Sequence, residues 1–110
     1  MPNFSKGEVL LVRYPFSDLT TAKVRPAVVV GNFLGTPDHI VVPLTSRTSS
    51  LAGGEFTLTD WLAAGLNVES AVKRGIYTVH ARLIIKSVGR LIATDAAQLE
   101  KSLRLWLQLA

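Results

Sequence analysis

The sequence predicts one domain of the α+β class, built as a small, partly open β-barrel with short helical segments and a C-terminal helix. Short apolar runs separated by turn residues fill most of the chain, as expected of a strand meander. Two of these runs, residues 28–30 and 40–42, are apolar without interruption, which is typical of central strands covered on both faces. The pattern turns amphipathic and helical near the C-terminus. Many short strands followed by one helix favour a small barrel over a bundle.

In order along the chain, the front half predicts four strands, at residues 8–14, 25–32, 39–45 and 55–59. The polar connection at residues 15–23 is long for a compact domain, and loops of this length often carry function. A second loop, rich in serine, threonine and glycine, follows at residues 46–54. Both loops are therefore expected at the surface.

The back half predicts a short helical turn at residues 60–65, closed by its glycine. Two further strands, at residues 70–79 and 87–92, are joined by a single helical turn at residues 80–83. This brings the expected number of strands to about six. The final helix is expected to start at a Thr94 N-cap with Asp95 beside its positive end. The residues predicted to share its apolar face are Leu99, Leu103, Trp106 and Leu107.

The length and composition of the chain exclude several classes of protein and of functional site. The chain has 110 residues, 48% of them hydrophobic and 18% charged, which fits one globular domain over residues 1–110 and excludes a disordered chain. It has no cysteine, which excludes a disulfide framework, a thiolate metal site and a cysteine nucleophile. A core this small gains from self-association.

The charge balance favours an anionic partner. Lysine and arginine number 12 against 8 aspartate and glutamate residues, a formal net charge of +4. The stretch from residue 73 to residue 90 contains no acidic residue. Its cations are Lys73, Arg74, Arg82, Lys86 and Arg90. A basic surface is expected there.

No apolar run approaches the roughly 20 residues of a membrane span. Residues 1–8 are polar and lack the apolar core of a secretion signal. We therefore expect a soluble, cytoplasmic protein that does not bind membranes.

Several segments, taken in order, resemble the MazF/PemK family of toxins. They are residues 7–12 (GEVLLV), 15–19 (PFSDL), 23–30 (KVRPAVVV) and 41–46 (VVPLTS). The tail at residues 84–91 (IIKSVGRL), followed by a helix, is similar to the family's C-terminal strand and helix. The resemblance covers nearly the whole chain, and the ordered series is more specific than any one segment. It implies the SH3-like barrel of the MazF/PemK/CcdB-like toxin fold.

The resemblance also implies a function: a sequence-specific endoribonuclease that cleaves single-stranded RNA without a metal or other cofactor. Such toxins are usually homodimers and are neutralised by an antitoxin, here expected to be acidic. Metal-independent cleavage proceeds by attack of the ribose 2′-hydroxyl on its own phosphate. The enzyme must then deprotonate that hydroxyl, stabilise the phosphorane charge and protonate the leaving 5′-oxygen.

Three residues are the first candidates for this chemistry. Arg25 matches the family's catalytic arginine, and its guanidinium can donate to two phosphate oxygens at once. Thr45 matches the catalytic hydroxyl, and Ser46 supplies a second hydroxyl beside it. Without the resemblance, Arg25 would be a strand-entry arginine bonded to a carbonyl, and the two hydroxyls would stabilise a turn.

The general base stays open. Some family members carry an acid in the segment that corresponds to residues 72–80, but no aspartate or glutamate stands there in this chain. His80 is a candidate acid or base, and it is equally a loop histidine facing water.

A set of basic residues and one tyrosine is expected to contact RNA, the cations at phosphates and the tyrosine by stacking on a base. The set is Lys23, Arg47, Lys73, Arg74, Tyr77 and Arg82. The loop at residues 16–23 and the stretch 73–82 are expected to flank one groove holding Arg25 and Thr45. The alternative for each cation is a solvated surface charge.

Other activities fit less well. The two histidines lie far apart without carboxylates at ligand spacing, so a metal site is disfavoured, and no phosphate-binding glycine motif occurs. A second hypothesis is a non-catalytic module that binds nucleic acid or a regulatory partner on the same fold. A third is a DNA gyrase poison, because a related toxin family shares the barrel. Cleavage of RNA in the presence of a chelator would separate the first hypothesis from the other two.

Overall fold

The computed structural model describes residues 3–14 and 23–110. The predicted loop at residues 16–23 therefore lies outside the described residues, except for Lys23. The elements, in order, are β1 Glu8–Tyr14, β2 Lys23–Asn32, β3 Asp38–Thr45, β4 Phe56–Thr57, β5 Ala71–Val72, β6 Tyr77–His80, a 3-10 turn Ala81–Leu83, β7 Ile84–Arg90 and the helix α1 Ala93–Leu107.

The strands form one open antiparallel sheet with the order β4-β5-β3-β2-β1-β7. One edge of β3 pairs with β2, and its other edge pairs with β6 near its start and with β5 near its end. Within the described residues, the sheet ends at β4 on one side and at β7 on the other. A seven-stranded antiparallel open sheet with a C-terminal helix confirms the predicted α+β class.

The two strands predicted to be central, β2 and β3, are buried on both faces, and β1 beside β2 is buried in the same way. On one face Val9, Val28 and Val42 pack in a cluster with Leu99 of α1. On the other face Leu10 and Val29 pack with further apolar side chains from β1, β2, β3 and β6. Because side chains alternate between the two faces of a strand, neighbouring residues of one apolar run pack into the clusters on opposite faces of the sheet.

The prediction of one strand over residues 70–79 is wrong, because the chain there bulges between two short strands. Val72 of β5 pairs with Leu44, and Tyr77 of β6 pairs with Val41. Residues 73–76 thus stand opposite only residues 42–43, which leaves two residues without partners in the ladder. This bulge raises the number of strands in the described chain to seven, and Lys73 and Arg74 lie in the bulge between two of them.

The other expected strand bounds also shift. The strand predicted at residues 55–59 shortens to β4, and the strand predicted at 87–92 is the longer β7. The turn predicted at residues 60–65 ends at Gly65, whose φ of +83° suits glycine. The turn predicted at residues 80–83 is the 3-10 turn, with His80 as its N-cap.

The start of α1 differs from the prediction. Its N-cap is Ile92, which makes no side-chain cap, and Thr94 lies inside the first turn. The Asp95 carboxylate is 2% exposed and accepts the N–H of Thr59 at 3.0 Å and the N–H of Asp60 at 3.2 Å. Asp95 therefore ties the loop after β4 to the helix.

The apolar face of α1 is shorter than predicted. Leu99 is buried in the core, with Leu103 and Trp106 packed against it. Leu107 is 52% exposed. At about 100° per residue, Leu107 lies about 80° around the helix from Leu99, which turns it away from the sheet. In the described part of the chain, no helix is long and apolar enough to cross a bilayer.

Candidate functional site

A cleft of about 810 Å³ opens at the end of the sheet where β2 begins and β3 ends. Cationic side chains reach it from β2, from the loop after β3, from the bulge and from β7. They are Arg25, Arg47, Lys73 and Lys86. Of the described residues that line the cleft, none is acidic. Charges of one sign in a concave surface focus the electrostatic field, so the cleft attracts anions.

Strand pairing aligns the floor of the cleft. Lys86 of β7 lies opposite Leu11 of β1, which lies opposite Pro26 of β2. Directly opposed residues point to the same face of a sheet. Because neighbouring strands lie about 4.8 Å apart, Lys86 stands about 10 Å from Pro26, next to Arg25. Arg25 lies opposite Val12, so its side chain leaves β2 on the other face and reaches the cleft at the end of the sheet, where Arg25 and Lys86 both line it.

Arg25 enters the cleft from an exposed position in the first part of β2. Its Nη1 donates to the carbonyl of Val24 at 3.5 Å, which is long for a hydrogen bond. The guanidinium carries five N–H donors in a planar fork, so donors remain for two oxygens of a phosphate. Arg25 is thus suited to hold an anion rather than to stabilise the strand.

The two hydroxyls lie where β3 ends. The Oγ1 of Thr45 accepts the N–H of Arg47 at 3.1 Å, which fixes the turn that carries the Arg47 side chain into the cleft. Because Thr45 is the acceptor in this bond, its own proton is free for donation. Ser46 is exposed on the same lining.

The bulge contributes Lys73 and, just after it, Tyr77. The N–H of Lys73 donates to the Pro43 carbonyl at 3.0 Å, and its side chain reaches the cleft. Tyr77 lines the cleft with 45% of its surface exposed. A half-exposed ring beside cations is suited to stacking on a nucleobase.

A carboxylate outside the lining holds the bulge in place. Glu55 accepts the N–H of Arg74 at 2.9 Å and the N–H of Ala52 at 2.6 Å. These bonds, the one from Arg74 first, lower the pKa of Glu55, and the charges of Arg74 and Lys73 lower it further. Glu55 therefore stays ionised and fastens the loop after β3 to the bulge.

Several predicted site residues are not in this cleft. Lys23 is exposed at the start of β2, Arg74 is exposed with its backbone N–H bonded to Glu55, and Arg82 is exposed in the 3-10 turn. None of the three lines the cleft. His80 lies three residues beyond Tyr77 along β6, and its Nδ1 accepts the N–H of Arg82 at 3.0 Å. The ring thus caps the 3-10 turn, as a structural histidine does.

Other lining residues were not singled out from the sequence. In the sequence Lys86 is distinguished only as part of the basic stretch, whereas its position opposite Leu11 places it on the floor of the cleft. Residues 65–70 form a wall of the cleft through Leu66, Asn67, Val68 and Ser70. This wall has no motif, so only tertiary packing reveals it.

Solved structures share the fold. The Mycobacterium tuberculosis toxin MazF-mt6 is similar with a TM-score of 0.74 and 19% identity, over 94% of this chain and 98% of that chain. An endoribonuclease in complex with its cognate antitoxin from Mycobacterial species has a TM-score of 0.73 and 17% identity, over 96% of this chain and 95% of that one. MazE-MazF from Deinococcus radiodurans gives a TM-score of 0.72 and 20% identity, over 96% of each chain.

In sequence, no curated protein matches the chain significantly. A family model does match, over residues 5–107, and it describes PemK-like, MazF-like toxins of type II toxin-antitoxin systems. The match spans both the strands that build the cleft and the C-terminal helix. The chain therefore belongs to the PemK-like, MazF-like toxin family of type II toxin-antitoxin systems.

Proposed function

We propose that this toxin is an endoribonuclease that acts in the cytoplasm and cleaves single-stranded RNA by attack of a 2′-hydroxyl on the adjacent phosphate, without a metal. The observation that carries the proposal is the meeting of Arg25, the Thr45 hydroxyl and three further cations in one cleft. Transfer of a phosphoryl group within RNA requires stabilisation of negative charge above all, and this lining supplies it.

Different side chains of the lining serve different steps of the proposed cleavage. The Arg25 guanidinium donates to the phosphate oxygens that gain charge in the phosphorane, and the Thr45 hydroxyl donates beside it. Lys73 and Lys86 neutralise the flanking phosphates. The proton of the attacking 2′-hydroxyl passes to a non-bridging oxygen of the same phosphate, because the described lining holds no carboxylate to accept it. Either ammonium, or the phenol of Tyr77, is able to protonate the leaving 5′-oxygen.

A direct test uses purified protein, a mixed pool of RNA and a chelator, followed by mapping of the fragment ends. We expect cuts at a recurring sequence, with 2′,3′-cyclic phosphate on one side and a 5′-hydroxyl on the other, because the 2′-oxygen is the nucleophile. Intact RNA, or ends with a 5′-phosphate, would overturn the proposed reaction.

A second candidate function is RNA binding without cleavage. It is favoured by one observation: the described lining offers no carboxylate to act as the general base, and the His80 Nδ1 is occupied as a cap. In the same assay it predicts retention of RNA on the protein with all fragments intact.

The proposed assembly is a homodimer that an acidic antitoxin neutralises. Leu105, Leu107 and Leu109 are more than half exposed at the C-terminal end, which is apolar surface that a second copy can bury. The cationic cleft is complementary to an acidic peptide. The D. radiodurans and mycobacterial complexes provide precedents for an antitoxin partner. Light scattering should give the mass of two chains, and a monomer that cleaves RNA would refute the dimer.

A further inference from the structure

We infer that Asn67 is the residue that determines which base this toxin selects next to the cleaved phosphate. The inference rests on the proposed function, because it assigns a specificity-determining residue for RNA in the same cleft. It is argued from the wall at residues 65–70, to which the family resemblance assigned no role.

The wall crosses the sheet and is held at both ends. At one end Gly65 lies against β7 so closely that a Cβ on it would stand 2.0 Å from the carbonyl oxygen of Val88. At the other end Ser70 is 3% exposed, and its carbonyl accepts the N–H of Leu58 at 2.9 Å. The segment is thus attached to the rest of the domain on both sides of Asn67 and Val68.

The middle of the wall faces the cleft. Leu66 is 8% exposed and anchors the segment, while Asn67 and Val68 are exposed on the lining. The neighbouring Glu69 carboxylate accepts the hydroxyl of Thr48 at 3.1 Å, which links the wall to the loop after β3. The cations come mainly from the strands and the bulge. An RNA with its phosphates on those cations can therefore present a base to Asn67 and Val68, which share the lining with them.

The cations of the cleft are assigned to phosphates, whose contacts carry no sequence information, so the selection of a base is assigned to the uncharged polar side chains of the lining. The uncharged polar side chains on the lining are Thr45, Ser46, Asn67, Ser70 and Tyr77. The Ser70 hydroxyl donates to the Val68 carbonyl at 2.9 Å, and the Thr45 hydroxyl is assigned to the reacting phosphate in the proposed function. Within the described chain, the Asn67 amide makes no hydrogen bond. Asn67 is therefore available to a ligand.

The chemistry of the amide suits a base edge. Its planar group carries a donor and an acceptor side by side, which matches adenine with its amino group and ring nitrogen. The exposed Val68 beside it offers an apolar surface for the base to rest on. One good bidentate pair discriminates against a wrong base by about 1–3 kcal/mol, which is a preference of about 5-fold to 150-fold.

The experiment compares wild type with Asn67→Ala and Asn67→Asp, and with Asn32→Ala as a matched control. Asn32 is an exposed asparagine at the far end of β2, outside the cleft lining. Each protein cleaves the same random RNA pool, and sequencing of the ends gives the base preference at each position around the cut. In parallel, each immobilised protein selects RNA from a random single-stranded library, which reports base preference in binding alone.

We expect wild type and Asn32→Ala to share one preference profile, with adenine favoured at one position near the cut. Asn67→Ala should reduce the preference for adenine at that position by about 5-fold or more and leave the base preferences at the other positions unchanged. Asn67→Asp keeps the shape of the side chain, but its carboxylate accepts hydrogen bonds and donates none. This variant should therefore lose the preference for adenine. An Asn67→Ala profile equal to that of wild type overturns the inference while the nuclease stands. If wild type does not cleave, the proposed function fails, and the binding profiles decide the role of Asn67 by the same comparison.

Discussion

Replacing Gly89 by alanine tests whether the wall at residues 65–70 is held rigidly against β7. A Cβ on Gly89 would lie 2.5 Å from the carbonyl carbon of Ala64 and 2.8 Å from the amide nitrogen of Gly65. These are backbone atoms, so no side chain can turn away to make room. Overpacking of this kind costs about 1–3 kcal/mol. For a domain of this size, each kcal/mol lowers Tm by about 4–8 °C.

Thermal unfolding followed by circular dichroism measures the effect. The matched control is Gly53→Ala, because no atom lies within 4 Å of a Cβ built on Gly53. We expect this control to melt within a few degrees of wild type and Gly89→Ala to melt at least about 4 °C lower. If Gly89→Ala melts together with the control, the close packing of β7 against residues 64–65 is refuted, and with it the rigid wall.

Three further changes have defined outcomes. Asp95→Ala removes the acceptor of two backbone N–H groups and should lower the free energy of unfolding in urea by about 2–4 kcal/mol, whereas a loss below about 0.5 kcal/mol would contradict the role of Asp95. The pKa of Glu55 in the folded state is lowered, chiefly by the hydrogen bond from the N–H of Arg74. The Glu55 carboxylate therefore stabilises the fold at pH values above its unfolded pKa of about 4.3. This stabilisation is lost as the pH falls through the pKa of Glu55 in the folded state. Glu55→Gln should therefore lower Tm at pH 7 and match wild type in strong acid, and an equal gap at both pH values would refute the assignment. For RNA binding, Lys73→Ala should reduce the slope of the logarithm of the binding constant against the logarithm of the salt concentration by about 0.7. Arg82→Ala lies outside the cleft and should leave this slope unchanged. The reverse result would show that RNA does not bind in this cleft.

Much of the fold could be predicted from the sequence because the patterns that predict its strands involve residues close together in the chain. The apolar runs of the second and third strands identify the two central strands, since only strands covered on both faces are apolar throughout. The family resemblance directed attention to Arg25 and Thr45, which do meet in one cleft. Their meeting follows from the antiparallel pairing of β2 with β3, which brings the start of one strand beside the end of the other.

The remaining features depend on packing at long range. The bulge at residues 73–76 arises from a two-residue difference in register against β3. Its one local signal is Gly75, whose φ is +144°, but a single glycine does not give the size of the shift in register. Asp95 looked like a residue near a helix cap, but its partners lie 35 and 36 residues away. Lys86 and Asn67 reach the cleft through strand pairing and through the contact of Gly65 with β7. Positions of this kind require the tertiary structure.

The most direct test of the central claim is the single-turnover cleavage rate of Arg25→Ala on an RNA that contains the preferred site. The control is Arg104→Ala, which removes an exposed arginine of α1 that lies outside the cleft lining. If the Arg25 guanidinium stabilises the phosphorane, Arg25→Ala should be slower by about 100-fold or more while it keeps the melting temperature of wild type. The control should cleave at the wild-type rate. A folded Arg25→Ala protein that cleaves as fast as Arg104→Ala would contradict the assignment of this cleft as the active site.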